Sequence, residues 1–368
     1  MKKIKIISVA FFPVYPVTFG SSVVVESFFG SLKNKSKMLF QVSDQKKKLS
    51  KYIKSVIIKK NNKLSKLLSV IKLIFLVISE IKKSKKTIYL IIEGASWIGY
   101  SYLLMQFTKL FIKKKIFTIY RGHSVEYEIR KKNSNFFISF ISFFFEKYVY
   151  KNSFIATAVS EKEQKIIKKL YGINPYIFPN IINIHQNKIL KYKKKYPYIL
   201  YSGSYLYKPN QVAIDILVNK IFPSLLKKNP QLKLVLTGSE NIPHKKSWLV
   251  SKGIVTKQNY YKILKNCNLL LVASKEGYGT RVKIIEALCF GVVVVTTVKG
   301  IEGIEYKKKF KPPFVCKNEK DLIDNSILVL TNQNYKKIAQ RQAKIYRDIF
   351  SSKKQISLFY QILKQKTK

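Results

Sequence analysis

The chain has 368 residues, with 70 Lys+Arg against 19 Asp+Glu and a formal net charge of +51 at pH 7. One core cannot hold that length, because a single hydrophobic core stops growing at roughly 250–300 residues, and 47 % apolar with 14 % aromatic residues rules out a disordered chain. The charge calls for an anionic partner, whether phosphate, nucleic acid or an acidic membrane surface.

The N-terminal stretch MKKIKIISVAFFPVYP begins basic and turns apolar. The apolar run is short, no small-residue cleavage site follows it and prolines end it, so it reads as a first strand and not as a leader. Short β-rich runs then alternate with helical periodicity. Strands are predicted at IKIISVAF, SKMLFQV, TIYLIIEG, KIFTIYRG and FIATAVS, and again at PYILYSGS, LKLVLTG, GIVT, CNLLLVAS and VVVVTT. This alternation is that of an α/β protein with parallel sheets, each series forming one doubly wound half. Two apolar stretches, LSKLLSVIKLIFLVISEI and FFISFISFFFE, are too interrupted or too short to cross a bilayer and read as buried or interfacial helices. The phenylalanines of FFISFISFFFEKYVYKN are assigned to the core of the first half, with an anionic bilayer surface as the alternative for them. A polar, basic stretch from Asn183 to Pro197 is the predicted linker. The expected domains are therefore 1–185 and 196–345, with 346–368 a final helix that packs back towards the first domain on Ile356, Phe359 and Ile362.

Cys267, Cys289 and Cys316 lie far apart without metal-type spacing, as expected of buried thiols in a reducing compartment. The lysine runs KKKIF, YKKKYP and EYKKKFKPP come without an RNA-binding aromatic signature, so a membrane surface suits the charge better than base recognition. No D-x-D pair, phosphate-binding GxxxxGK[ST] loop, GxSxG or HExxH is present. No metal site and no resident cofactor are expected, and phosphate charge must then be met by Lys, Arg and helix N-termini.

The stretch most suited to that task is SKEGYGTRVKIIEALCFGVVVVTT, Ser274 to Thr297. After an apolar strand, Thr280 is placed to cap a helix that runs to Cys289 and stops before Gly291. A helix start at the carboxyl end of a parallel strand is a ready phosphate site, and Arg281 and Lys283 add charge there. Glu286, about one turn after Lys283, can accept two hydrogen bonds from a ribose diol. Equally, Lys283 and Glu286 can be an exposed i,i+3 pair worth a few tenths of a kcal/mol. Lys208, following the strand and glycine of YSGSYLYK, can neutralise a leaving diphosphate or simply be a solvated lysine.

Here the chain resembles the family 4 retaining glycosyltransferases of the GT-B fold, most closely a bacterial subset with the donor motif GTRxKxxEA, then a glycine, a valine run and a GxEG loop. This sequence reads GTRVKIIEALCFGVVVVTTVKGIEG. YSGSYLYKPN, LKLVLTGS, Pro179-Asn180 and, in the first half, YRGHSVEYEIR extend the resemblance over nearly the whole chain. It implies an α/β architecture of two Rossmann-like doubly wound domains facing across a cleft, the first on the acceptor side and the second binding a nucleotide sugar. Carried over residue by residue, Glu286 matches the glutamate on the donor ribose, Lys208, Arg281 and Lys283 the basic groups on the diphosphate, and Gly203 the glycine that lets the loop approach the donor. Gly20 matches a first-strand loop glycine, although PVYPVTFG can equally be a plain turn. His123 matches the histidine near the transferred sugar, its alternative being a cap for the helix that SVEYEIR begins; Glu126 would be an acid at that helix start. One departure stands out: the family's paired glutamates are separated by seven residues and Glu276 and Glu286 by nine, so that Tyr278 holds the usual position of the first and Glu276 must reach the sugar through a longer loop.

The expected function is transfer of a sugar from a nucleoside diphosphate sugar to a glycan or lipid-linked acceptor, with retention and without metal, in cell-surface polysaccharide or glycoconjugate synthesis. The expected location is the cytoplasm, with the inner face of the plasma membrane as a candidate surface. A sugar-nucleotide epimerase or hydrolase on the same fold would need no acceptor. A basic nucleic-acid-binding protein is the third reading, and no nucleic-acid motif supports it.

Overall fold

The computed structural model describes residues 4–34, 36–45, 49–59, 62–183, 196–306 and 311–367. The chain divides into two compact units, one of Met1–Pro16 with Val25–Pro179 and the other of Val17–Val24 with Asn180–Lys368.

The first unit is built on strands β1 (Ile4–Ala10), β2 (Lys37–Ser43), β3 (Ile53–Ile57), β4 (Thr87–Gly94), β5 (Ile116–Gly122), β6 (Ile155–Ala158) and β7 (Tyr176–Ile177). They pair in parallel in the order β3-β2-β1-β4-β5-β6-β7. Helices α1 (Gly20–Ser31, its residues up to Val24 belonging to the second unit), α2 (Lys63–Lys83), α3 (Ile98–Phe111), α4 (Glu126–Asn133), α5 (Phe136–Asn152) and α6 (Glu161–Tyr171) connect them. Central strands such as β4 are apolar at almost every position because both faces are covered. On α2 the buried Val70, Leu73, Ile74, Val77, Ile78 and Ile81 recur at the three-to-four spacing that makes one apolar stripe, and the Asn62 side chain accepts from the Ser65 N–H at 2.8 Å to start the helix.

The second unit repeats the plan with β8 (Tyr198–Ser202), β9 (Lys233–Thr237), β10 (Leu249–Ser251), β11 (Leu269–Val272), β12 (Val294–Thr297) and β13 (Phe314–Cys316), in the parallel order β10-β9-β8-β11-β12-β13. Its helices are α7 (Lys208–Ile216), continued by a π-helical turn at Leu217–Ile221, α8 (Phe222–Lys228), α9 (Lys257–Asn266), α10 (Val282–Phe290), α11 (Glu319–Thr331), α12 (Asn334–Phe350) and α13 (Ser352–Thr367). Ile356, Phe359 and Ile362 of α13 are all buried, as their spacing predicts. In both sheets the first strand is central and the chain crosses to its other side at the fourth, β1 beside β4 and β8 beside β11. Such a reversal of strand order opens a crevice beyond the carboxyl ends of those strands, the usual place for a ligand.

Most predicted strands are present to within a residue or two. GIVT is not one of them: Gly253 adopts φ +61° and turns the chain, and the edge strand is β10, just before it. The predicted set lacks β3, β7 and β13, which are end strands of their sheets and too short or too one-sidedly buried to give a long apolar run. Thr280 does not cap α10. Arg281 holds the N-cap position, no side chain caps the helix there, and the Thr280 hydroxyl instead accepts from the Asn180 amide.

The largest correction concerns α5. Phe136, Phe137, Phe140 and Phe144, assigned to the core, are 83 %, 68 %, 50 % and 50 % exposed. The inward face carries Ser139, Ser142, Glu146, Val149 and Tyr150. Polar work decides which face turns in: Ser142 Oγ accepts from the Trp97 indole at 3.2 Å, and the Glu146 carboxylate accepts the N–H groups of Glu126 and Tyr127 at 2.8 and 2.7 Å, capping α4. No helix among the described residues is long and apolar enough to cross a membrane. The three cysteines are buried and no disulfide joins them. Most of the predicted linker, 184–195, lies outside the described residues.

Candidate active site

At the crevice of the second unit, β8 ends in Gly203, whose N–H donates to the Thr237 carbonyl at 2.8 Å. A Cβ at Gly203 would lie 2.7 Å from the Asn210 amide, so only glycine lets the strand end and the first turn of α7 come this close. Asn210 is a hub: its Oδ1 accepts from the Tyr201 hydroxyl at 2.9 Å and from the Lys283 ammonium at 3.2 Å, while its amide donates to the Ser204 carbonyl at 3.1 Å. The Lys283 Nζ also sits 4.2 Å from the centroid of the Tyr201 ring.

The loop after β11 brings Lys283 there. Gly277 and Gly279 take φ +115° and +66°, and Arg281 clamps the loop by donating to the carbonyls of Gly279 and Glu276 at 2.8 and 2.9 Å. Among the described residues neither Arg281 nor Lys283 forms an ion pair with a carboxylate. Burial, and then the nearby Arg281 charge, lower the Lys283 pKa to about 7; burial lowers that of Arg281 as well. Beside them, α10 starts with N–H groups that no side chain caps. Two cations that form no ion pair among the described residues, Arg281 sensing the Glu302 charge only from a distance, and an open helix start can together hold an anion.

Glu286, on the same helix, is 4 % exposed and makes no pair with Lys283. Its Oε1 accepts from the Tyr261 hydroxyl at 3.0 Å, and burial, only partly offset by Lys257 and this hydrogen bond, raises its pKa to about 7. The exposed i,i+3 pair considered above is therefore not formed: each residue has its own partner. The remaining predicted residues of this unit stand at the edges. Lys208 is exposed at the start of α7, its Nζ 3.4 Å from Gln211 Oε1. Glu276 is exposed, and only its backbone carbonyl is engaged, by Arg281. Gly20, which opens α1, is exposed; a Cβ there would meet Val282 at an ordinary 3.5 Å, so space alone does not require glycine.

At the crevice of the first unit, His123 directly follows β5 and is buried. Its Nε2 lies 2.9 Å from Oε2 of Glu93, on the neighbouring β4. Glu93 is fully buried and also accepts two hydrogen bonds from Arg121 NH1 at 2.8 and 2.9 Å and one from Ser8 Oγ at 3.2 Å. Burial would raise the Glu93 pKa, but the Arg121 charge and the His123 contact hold it below the ordinary value. The Arg121 guanidinium is itself laid on Phe28, 3.7 Å from the ring centroid, with Phe178 at 5.5 Å. The cap for α4 comes from Glu146, not from His123, and Glu126 in the first turn pairs with Arg130 at 2.6 Å.

Sequence reasoning did not single out Asn210, Tyr201, Tyr261, Glu93 or Arg121. A signal existed for two of them: Asn210 ends the quoted KPN, and Glu93 is a charge inside the apolar run TIYLIIEG, which must find a partner when buried.

Residues 196–332 match the family described as Glycosyl transferases group 1. Among solved structures, the chain is similar to sucrose-phosphate synthase from Thermosynechococcus elongatus (TM-score 0.74, 12% identity, covering 98% of this chain and 98% of that one). It is similar also to Anabaena Alr3699/HepE in complex with UDP and glucose (TM-score 0.69, 11% identity, 99% and 100%). A third is WaaG, a glycosyltransferase involved in lipopolysaccharide biosynthesis (TM-score 0.63, 12% identity, 94% and 99%). No match was found among curated proteins. The architecture is GT-B, with two Rossmann-like units, and the chain is a glycosyltransferase.

Proposed function

We propose that this glycosyltransferase takes a nucleoside diphosphate sugar as donor, holds the diphosphate at the carboxyl ends of β8 and β11, and passes the sugar to a glycan or lipid-linked acceptor. The observation that carries the reading is Lys283, a half-buried ammonium held by Asn210 and Tyr201 that forms no ion pair among the described residues. HepE, a protein of the same fold, was solved with UDP and glucose, which agrees with a nucleotide-sugar donor, and WaaG acts in lipopolysaccharide biosynthesis, which agrees with a role in cell-surface glycan synthesis. Gly203 lets Asn210, and with it Lys283, sit against the strand end, and Glu286 accepts the ribose hydroxyls.

In the reaction the bond from the anomeric carbon to the phosphate oxygen breaks, and charge grows on the leaving diphosphate. Lys283, Arg281 and the open start of α10 meet that charge, with Lys208 at the rim, so the step needs no divalent ion. Retention follows from the resemblance: the acceptor oxygen bonds to the face the diphosphate leaves, and its proton passes to the leaving phosphate oxygen. His123, fixed through Nε2 by Glu93, keeps Nδ1 for a sugar or acceptor hydroxyl. Glu276 reaches the sugar from the loop.

The exposed face of α5 supports an acceptor at a membrane. Its four phenylalanines offer roughly 500 Å2 of apolar surface, at 150–250 Å2 per buried aromatic side chain, and the exposed Lys131 and Lys132 lie just before them. Apolar anchors beside cations suit peripheral attachment to an anionic bilayer, here the inner face of the plasma membrane.

A thermal-shift panel of UDP-, GDP- and ADP-sugars, with and without a chelator, tests the donor reading. One donor should raise the melting temperature equally in both conditions, and Glu286→Ala should weaken that shift while leaving the unliganded melt intact. Equal affinity in Glu286→Ala for every donor would remove the ribose assignment.

A further inference from the structure

At the opposite, amino-terminal edge of the first sheet lies a cavity of about 790 Å3. Among the described residues, six lysines line it, Lys5, Lys37, Lys51, Lys83, Lys85 and Lys86, and no acidic side chain does. They come from four segments: the start of β1, the start of β2, the turn before β3 and the end of α2 with its exit.

Three of the six are committed to the protein. The Lys37 ammonium donates to the carbonyls of Phe29, Gly30 and Leu32 at 2.7, 3.1 and 2.7 Å, closing the end of α1. Lys5 pairs with Glu80, and Lys86 donates to Ser36 Oγ. The negative end of α2 is already met by Lys114, which donates to the carbonyls of Ile81 and Ser84. Helix capping thus accounts for Lys37 and Lys114 and leaves Lys51, Lys83 and Lys85 over. These three are exposed at the cavity rim, and among the described residues none forms an ion pair or donates a hydrogen bond.

Gathering like charges around one cavity costs free energy unless an anion shares it. A volume of about 790 Å3 is far more than one tetrahedral anion fills and lies in the range of small-molecule sites. Ser36 and Ser84 add hydroxyls to the lining, and Tyr52, whose ring lies 5.4 Å from Lys51 Nζ, adds an aromatic wall. We propose that this cavity is a second ligand site, separate from the donor crevice, that binds an anion carrying at least two phosphoryl groups. The fixed cations form its floor and Lys51, Lys83 and Lys85 close over the phosphoryl oxygens as charge-assisted donors.

The same chemistry can arrive as a soluble or glycan-borne phosphate or as a lipid headgroup, and two arms of one experiment separate them. Tripolyphosphate is titrated into the full chain by calorimetry at about 150 mM salt, where diffuse surface attraction is screened. Three chains are compared, each carrying Lys283→Met so that the donor crevice does not take up tripolyphosphate: the otherwise wild-type chain, the variant Lys51→Ala/Lys83→Ala/Lys85→Ala, and a control of equal charge on α6, Lys165→Ala/Lys168→Ala/Lys169→Ala. Saturable one-to-one binding is expected, weakened about tenfold or more in the cavity variant and about twofold or less in the control. In the second arm the same proteins are floated with vesicles containing cardiolipin, whose headgroup carries two phosphates. Loss confined to the cavity variant assigns the site to a headgroup, and equal flotation assigns it to a soluble or glycan-borne phosphate. Absence of saturable binding, or equal loss in both variants, overturns the site. So does a cavity variant that melts lower without anion yet binds tripolyphosphate like the otherwise wild-type chain, since the three lysines would then be helix caps.

Discussion

The two crevices occupy the same topological position and carry opposite electrostatics. Beyond β4 and β5 a buried carboxylate, Glu93, is met by Arg121, His123 and Ser8, and the charge is closed within the protein. Beyond β8 and β11 two cations, Arg281 and Lys283, have carbonyls, an amide oxygen and an aromatic face as direct partners and form no ion pair among the described residues, with the Glu302 charge acting on Arg281 from a distance. A buried charge met by its counter-charge holds geometry, even with Arg121 Nε left without a hydrogen bond; a charge not so met leaves electrostatic energy for a ligand to claim. The first unit is thereby suited to orient a histidine, and the second to bind an anion.

Substitution should separate the two. The largest effect is expected for Glu93→Gln, which leaves the buried Arg121 guanidinium without its counter-charge and should lower stability by about 3–5 kcal/mol in urea unfolding. A loss no larger than that of an average surface substitution would mean the network is not closed as described. Lys283→Met should do the reverse. Removing a desolvated, unpaired cation should leave the fold at least as stable, while donor affinity drops about tenfold, or ~1.4 kcal/mol. The stability gain should depend on pH with a definite sign. The Lys283 pKa is lowered from 10.5 to about 7, so the cost of its charge is complete below about pH 7 and fades as pH rises towards the unfolded value. Chemical unfolding at about pH 6 and about pH 9 reads this, and a gain larger at the higher pH would contradict it. The smallest effect belongs to Ser8→Ala, which removes one of several hydrogen bonds to Glu93 and should cost about 0.5–1.5 kcal/mol. A cost comparable to Glu93→Gln would show that Ser8, and not Arg121, holds the carboxylate.

How far these features could be read from sequence follows the same division. Apolar strands buried on both faces, β1, β4, β8 and β11, declare themselves by composition, and with the glycine after β8 they place both crevices. The positions of Gly203, Arg281, Lys283 and Glu286 could be anticipated, because a glycine after an apolar strand and a helix start after the next one mark strand ends; the structure puts Gly203 after β8 and the other three at the start of and on α10. Partners are not legible, because they depend on register: Glu93 meets Arg121 only because β4 and β5 pair at those two residues. Similarly, the hydrogen bond from Lys283 to Asn210 joins helices 73 positions apart in sequence. On α5 the periodicity of FFISFISFFFE allows either face to turn inward. The choice falls to Trp97 and to the start of α4, which need Ser142 and Glu146 from the other face. Short edge strands such as β3 lack the two-sided burial that makes a run of apolar residues necessary.

The central claim is that an unpaired lysine and a buried glutamate in the second unit receive the diphosphate and the ribose. Calorimetric titration of the donor selected by the panel, in buffers of different ionisation enthalpy, counts the protons that move on binding. Lys283 and Glu286 both have pKa values of about 7. The donor needs the lysine charged and the glutamate ionised, so binding should take up protons at about pH 8 and release them at about pH 6. Lys283→Met should abolish the uptake alone. A proton count near zero at both pH values, or uptake that survives in Lys283→Met, would contradict the account.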